Sequence, residues 1–88
     1  MSTNADYVMT LLREKPMTLN ELAMRAFHDK CTIADRDKLT QFEKRMWGVK
    51  YITRGLDTLR NFKYVYSVKV KSDNPLFKGY VNEWHIVE

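Results

Sequence analysis

The stretch from Val49 to Val65, VKYITRGLDTLRNFKYV, and the overlapping segment YVYSVKVK at residues 64–71 decide the fold predicted for this chain. From residue 64 onward the apolar residues recur every second position, which is typical of a strand. Before that point they recur at the three- and four-residue spacing of a helix. The helical positions are Val49, Ile52, Leu56 and Leu59. The sequence therefore predicts a helix over residues 49–61 that leads into a β-strand with almost no linker.

A second strand is predicted after a turn. Residues 72–75, Ser-Asp-Asn-Pro, are turn formers, and Pro75 cannot donate to a strand ladder. Gly79 to Val87 then returns as a strand, so the chain ends in a β-hairpin. In the first strand we expect the lysines to lie on the open face. The residues expected on its covered face are Tyr64, Tyr66, Val68 and Val70, and the aromatic residues expected in the core are Phe27, Phe42, Phe62, Tyr64, Tyr66 and Trp84.

Two helices are predicted in the N-terminal third of the chain. Residues 3–6 can cap the first, and Pro16 ends it because proline cannot continue a helix. Thr18 and Glu21 have the spacing of a capping box, in which each satisfies a free backbone N–H group of the other. The second helix therefore starts at this box, and its apolar face continues to His28.

Residues 28–61 permit two interpretations. Residues 28–32 lack periodicity and predict a loop, with Thr32 or Asp35 available as a helix cap. We favour a helix over about 36–46, a bend near Gly48 and a second helix over 49–61, because glycine inside a helix costs about 1 kcal/mol relative to alanine. One unbroken helix from about 36 to 61 is the alternative, since apolar residues continue at helical spacing throughout.

Positive charge is concentrated in the middle of the chain. Residues 36–71 hold ten Lys and Arg against three Asp and Glu, a net charge of +7, although the whole chain carries only +4. The segments on either side are slightly acidic. The cations thus coincide with the predicted helix over 49–61 and the first strand, as expected of a surface that binds nucleic acid.

Several functional classes have little support in the sequence. Cys31 is the only cysteine, and the two histidines are far apart, so neither a disulfide within the chain nor a structural zinc site is predicted. No catalytic Ser/His/Asp or Cys/His spacing and no glycine-rich phosphate loop is present. No apolar run is long enough to span a membrane. We expect a single cytoplasmic domain over residues 1–88 that is not an enzyme and has no cofactor, metal or membrane partner.

The chain resembles the winged helix-turn-helix superfamily over most of its length. The resemblance lies in the apolar framework of Tyr7, Leu11 and Leu12, then residues 18–23 (TLNELA), then Ile52, Leu56, Leu59, Tyr64 and Val65. It implies an α+β fold of three or four helices followed by a C-terminal two-stranded hairpin wing. It also implies that the third helix enters the major groove of DNA and that the wing contacts the DNA backbone or minor groove.

Two features depart from the family pattern. Winged helices have a short turn between the second and third helices, whereas here an insertion lies at about 29–46. It could be an extra helix, an extended recognition helix or a protein-binding element, with Trp47 either packing it onto the domain or meeting a partner. Asp57 is the second departure, because a carboxylate on the reading helix repels phosphates unless it pairs with Arg54 or Arg60.

Seven residues are candidates for DNA contact. Arg pairs bidentately with guanine and Asn with adenine, each pair giving about 1–3 kcal/mol of discrimination. Lysines on the wing would contact phosphates, which position the protein without reading sequence. Lys38, Lys44 and Arg45 could track the DNA backbone in the same way. The candidates are Lys50, Arg54, Thr58 and Asn61 on the helix, and Lys69, Lys71 and Lys78 on the hairpin.

The sequence therefore predicts a sequence-specific double-stranded DNA-binding protein, a small regulator of transcription or replication of bacterial or bacteriophage type. The alternative is a winged-helix-shaped interaction module that binds a host or regulatory protein complex through the 29–47 region. A weaker interpretation is single-strand binding through hairpin tyrosines and lysines, because the aromatic residues are expected inside. A homodimer would suit palindromic operators.

Overall fold

The computed structural model describes residues 3–72 and 79–88. The chain is α+β, with three helices and a three-stranded antiparallel sheet in the order β1-β3-β2. The elements are α1 (Thr3–Glu14), β1 (Met17–Thr18), α2 (Leu19–Lys30), a 3-10 turn (Arg36–Lys38), α3 (Gln41–Asn61), β2 (Val65–Lys71) and β3 (Tyr80–Ile86). Three or four helices and a C-terminal hairpin were expected, and residues 73–75 of the turn predicted at 72–75 lie outside the described residues.

Helix α2 begins at the predicted capping box. The Thr18 hydroxyl accepts the Glu21 N–H at 3.2 Å, and the Glu21 carboxylate accepts the Thr18 N–H at 3.2 Å. A cap of this kind contributes on the order of 1 kcal/mol. The helix runs on to Lys30, where the Cys31 N–H still donates to the Phe27 carbonyl. The loop predicted at residues 28–32 was therefore wrong for its first three residues.

Strand β1 was not predicted. Met17 pairs with Trp84, and Thr18 pairs with Glu83. The short segment that links α1 to α2 in the chain therefore joins the hairpin as a third strand. Two residues are too few to show an alternating pattern in sequence. Met17 is nevertheless almost fully buried, and this pairing ties the N-terminal helices to the C-terminal hairpin.

The break expected near Gly48 was wrong, because α3 runs without interruption from Gln41 to Asn61. Gly48 is needed for helix packing, since α2 lies against it so closely that no side chain would fit. The helix starts later than expected, at a second capping box formed by Thr40 and Glu43. Thr40-x-x-Glu43 has the same spacing as the box of α2, so this start was visible in the sequence.

The segment between α2 and α3 is shorter than the predicted insertion. It consists of residues 31–40, which include the 3-10 turn, and the rest of the 29–46 region belongs to the ends of α2 and α3. Arg36 holds this connection by donating to the carbonyls of Cys31 at 2.5 Å and His28 at 3.3 Å. Residues 41–46 of the predicted insertion thus form the N-terminal part of α3.

The core lies between the three helices and the base of the hairpin. Its buried members are Ala5, Val8, Leu11, Leu12, Met17, Leu22, Ala26, Ile52, Leu56, Leu59, Val65 and Trp84. Among the aromatic residues expected inside, Phe27 and Trp84 are buried, whereas Phe42, Phe62, Tyr64 and Tyr66 are exposed. For Tyr66 the reason is that Val65 is the only buried residue of β2, whereas Phe42 lies at the exposed start of α3 and Phe62 and Tyr64 lie in its connection to β2.

Within residues 3–72 and 79–88, no helix is both long enough and apolar enough to cross a bilayer.

Candidate nucleic-acid interface

Three of the four predicted helix candidates lie on the outer face of α3. At 3.6 residues per turn, Lys50, Arg54 and Asn61 fall within about 40° of one another around the helix axis. All three are exposed. Thr58 lies a further ~40° around, is half-buried, and donates its hydroxyl to the Arg54 carbonyl at 3.1 Å. The helix therefore presents one cationic and amide-bearing stripe to solvent, and Thr58 lies beside this stripe.

An open groove of about 1280 Å³ lies between α3 and the hairpin. The first residues of α2 form its floor, α3 forms one wall, and β2 with β3 forms the other. The polar and charged residues that line it include Asn20, Arg45, Thr53, Asp57, Arg60, Lys69, Lys71 and Asn82. The groove is thus open to solvent, and four basic and three acidic residues line it.

The lysines of β2 point toward this groove, which corrects the side of β2 expected from sequence. Ser67 pairs with the buried Trp84, so the odd-numbered residues of β2 share the face of Trp84 that packs toward the helices. Lys69 and Lys71 follow on that face and line the groove, whereas Tyr66 and Val68 lie on the opposite, exposed face. Lys78 lies outside the described residues.

Two arginines of the groove were underrated in the sequence analysis. The Arg45 Nε atom donates to the Asn20 Oδ1 atom at 3.0 Å, and the Arg60 guanidinium lies 5.6 Å from the centre of the Trp84 ring. Each contact crosses from α3 to another element, so both guanidinium groups are oriented by tertiary structure. A helical projection about Ile52 would have placed both arginines on the side of α3 next to the core.

The cations of this region are not neutralised by ion pairs. Among the described residues, every ion pair between Lys or Arg and Asp or Glu lies within residues 14–38. Residues 44–71 hold eight Lys and Arg against the single acid Asp57. None of these eight cations forms an ion pair within the described part of the chain. The molecule therefore pairs its charges on α1, α2 and the following turn, and leaves those of α3 and β2 available.

Carboxylates also line the groove, but two of the three are already engaged. Glu21 caps α2 and pairs with Lys15 at 3.4 Å, and Glu83 contacts His85 at 2.9 Å. Asp57 is exposed and makes no ion pair with Arg54, Arg60 or any other described residue. Among the three groove carboxylates it is the one without such a partner.

A smaller pocket lies on the other side of the α3 stripe. It is lined by Asn4, Trp47, Lys50, Tyr51 and Arg54. Trp47 stacks on Tyr51 with ring centres 5.6 Å apart and meets Phe27 edge-on at 6.1 Å. Trp47 thus packs the first half of α3 onto α2, which is one of the two roles that the sequence left open for it.

The arrangement is suited to binding anions. The side chains that converge are guanidinium, ammonium, amide and hydroxyl groups, which donate hydrogen bonds to phosphates and base edges. No group of three or more His, Cys, Asp or Glu residues in the described chain is placed to hold a metal ion. Comparisons of the chain with protein-family models, with curated protein sequences and with solved structures gave no match.

Proposed function

We propose that this chain is a winged-helix protein that binds double-stranded DNA in a sequence-specific way and regulates transcription or replication in a bacterial or phage setting. The observation that carries the proposal is the set of eight cations in residues 44–71, none of which is ion-paired within the described chain. Cations without an ion-pair partner are what a polyanion neutralises on binding.

In this proposal the outer stripe of α3 enters the major groove. The major groove of B-DNA is about 12 Å wide and admits one α-helix, whose side chains then reach the base edges. Arg54, at the centre of the stripe, reads guanine through its O6 and N7 acceptors. Asn61 reads adenine, and Lys50 contacts a guanine or a phosphate. Thr58 contributes only by positioning, since its hydroxyl is committed to the Arg54 carbonyl.

The groove between α3 and the hairpin holds the sugar–phosphate backbone of one strand. Arg45 and Arg60 are oriented by Asn20 and Trp84, so each can donate to a phosphate with little further loss of side-chain freedom. Lys69 and Lys71 contact the same strand from the hairpin. These four contacts carry no sequence information, but they set the register of α3 on the duplex.

The proposal predicts a strong dependence of affinity on salt. Each neutralised phosphate contributes about −0.9 to the slope of log K against log salt concentration on B-DNA. Four backbone contacts therefore predict a slope of about −4 for log K against log salt concentration. The experiment measures the affinity for mixed-sequence duplex at several salt concentrations and follows backbone amides by NMR during titration with a short duplex.

The expected result is a set of perturbed amides clustered at residues 44–61 and 65–71. Arg25→Ala is the matched control, because Arg25 is ion-paired with Glu14 and Asp29 in the slightly acidic segment before residue 36. Binding that is absent or insensitive to salt, or that weakens as much in Arg25→Ala as in Arg60→Ala, would count against DNA binding. Stronger binding to single strands than to duplex would point to a different nucleic-acid function.

A second candidate function, a protein-interaction module, is favoured by a separate observation. Ile33, Phe42 and Met46 are exposed, and all three lie within the 29–47 region. Phe42 is 69% exposed at the start of α3, where a partner could cover it. A stoichiometric complex of purified components that excludes DNA, and that Phe42→Ser abolishes, would establish this alternative.

A further inference from the structure

Strand β2 has a free edge. It lies at the end of the sheet, with β3 on one side and no described strand on the other. The Val87 N–H donates to the Tyr64 carbonyl and the Ser72 N–H donates to the Gly79 carbonyl, which extends the β2–β3 ladder at both ends. Hydrogen-bonded pairs alternate in an antiparallel ladder. The even-numbered residues of β2 therefore bond to β3, and the backbone groups of Val65, Ser67, Lys69 and Lys71 point away from the sheet.

One face of this edge strand is also uncovered and apolar. Tyr66 is 48% exposed and Val68 is 39% exposed, and both lie on the face turned away from Trp84. Tyr66 stacks on His85 of β3 at 5.3 Å, which keeps its ring flat along the sheet. An edge that combines unpaired backbone groups with an apolar β-branched face is a template for another strand.

We propose that a second copy of this chain covers this edge, with the two β2 strands paired antiparallel about a two-fold axis through Val68. The strand Val65–Lys71 has Val68 at its centre, so this register pairs its full length. The odd-numbered residues then face one another and supply the hydrogen-bonded pairs, as their free backbone groups require. Val68 meets the second copy's Val68, and Tyr66 meets the second copy's Val70.

Charge selects this register over its neighbours. With the axis at Val68, Lys69 lies opposite Ser67 and Lys71 lies opposite Val65. Moving the axis to residue 69 sets Lys69 against itself, and moving it to residue 67 sets Lys71 against Lys63. Like charges directly opposite one another destabilise a strand pair. The sequence of β2 is therefore self-complementary in one antiparallel arrangement, and this favours a second copy over an unrelated strand.

The assembly is a continuous six-stranded sheet with the lysine faces of both copies on one side. This inference rests on β2 alone and does not depend on DNA binding, so self-association is measured without nucleic acid. Sedimentation equilibrium of the full chain over a wide concentration range should show the mass rising from one to two chains. A chain that stays monomeric at every concentration would overturn the proposal.

Val68→Lys sets two lysines against each other on the axis and should weaken dimerisation by at least about tenfold. Val87→Lys is the matched control, because Val87 is similarly exposed but lies beyond the end of β3. The control should dimerise like the unmodified chain. Equal loss in both variants, or no loss in Val68→Lys, would exclude this edge as the interface.

A cross-linking experiment tests the register even if Val68→Lys folds poorly. The two Val68 residues form a non-hydrogen-bonded pair with Cα atoms about 4.5 Å apart, a distance that a disulfide can bridge. Val68→Cys should therefore form a disulfide-linked dimer under mild oxidation, and the buried Cys31 should not compete. Lys69→Cys, whose partner position is Ser67, should cross-link at least about tenfold more slowly. Equal rates for the two variants would overturn the proposed register.

Discussion

Gly48 of α3 lies directly against the backbone of Ala23 of α2, so that a β-carbon at position 48 would overlap the Ala23 carbonyl oxygen. A second close approach occurs at Gly55, where a β-carbon would lie 2.6 Å from the Asn4 carbonyl oxygen of α1. The two glycines thus let α2 and α1 pack on α3 at backbone distance. These contacts set the direction of α3, and with it the direction of the cationic stripe.

Gly48→Ala should destabilise the protein by about 1–3 kcal/mol. In an exposed helix the same change would be stabilising by about 1 kcal/mol, because alanine favours the helix. Here the new methyl group must push α2 away from α3, so the sign reverses. Urea unfolding followed by circular dichroism measures the difference, with Thr53→Ala on the exposed side of α3 as the control. A Gly48→Ala variant as stable as the parent would show that the two helices can separate without cost.

Lys63→Gly should stabilise the protein by about 0.5–1 kcal/mol. Lys63 has a φ of 61°, the left-handed conformation that glycine adopts without strain. Lys63 lies just after the end of α3, where its N–H donates to the Arg60 carbonyl and the Tyr64 N–H donates to the Leu59 carbonyl. Lys63→Ala also removes the charge but keeps the β-carbon, so it serves as the control. If the alanine variant is at least as stable as the glycine variant, the strain is not significant.

Arg60→Ala should weaken binding to all duplex sequences by a similar factor and reduce the salt slope by about 1. Arg60 stacks on Trp84, which holds its guanidinium at the groove. Arg60→Lys should keep most of the salt slope but bind less tightly, because an ammonium group donates in no fixed plane. Fluorescence anisotropy at several salt concentrations measures both quantities. An unchanged slope in Arg60→Ala would remove Arg60 from the backbone contacts.

Arg54→Ala and Lys71→Ala should weaken DNA binding in different ways. The loss of Arg54 should cost about 1–3 kcal/mol at a preferred site and little on mixed sequence. The loss of Lys71 should weaken both by the same factor, since a phosphate contact is independent of sequence. Selection of a preferred site from a random duplex library, followed by affinity measurement, separates the two effects. The opposite pattern would exchange the assigned roles of stripe and hairpin.

Glu43 should make the first turn of α3 sensitive to acid. Hydrogen bonds from the backbone and hydroxyl of Thr40 lower the pKa of the Glu43 carboxyl below its ordinary value of 4.5. A lowered pKa in the folded state means that this stabilisation is complete above pH 4.5 and is lost as the pH falls through the folded value. The protection factor of the Thr40 amide, which is its exchange rate corrected for the intrinsic pH dependence of amide exchange, should fall when NMR measurements are carried from neutral to acid pH. Glu43→Gln keeps a side chain that can cap but does not titrate, so in this variant the protection of the Thr40 amide should not change over the same pH range.

Local patterns in the sequence were sufficient for those elements whose signals come from neighbouring residues. The capping box of Thr18 and Glu21 marked the start of α2, and the change of apolar period at Tyr64 marked the passage from α3 to the hairpin. The concentration of cations in residues 36–71 was also readable, because charge is a property of composition. The stripe of Lys50, Arg54 and Asn61 followed from helical periodicity once α3 was predicted.

The tertiary structure decided the rest, because it depends on which surfaces meet. A glycine such as Gly48 is equally consistent with a break or with close packing until the position of Ala23 is known. The side of β2 that faces the helices depends on the pairing of Ser67 with Trp84, which a strand with apolar residues on both faces does not reveal. Arg45 and Arg60 acquire their orientation only from Asn20 and Trp84, which are distant in sequence. The sequence by itself thus determined the start of α2, the passage from α3 to the hairpin and the amount of charge, and the packing of remote elements determined the continuity of α3, the pairing of β1 and where that charge points.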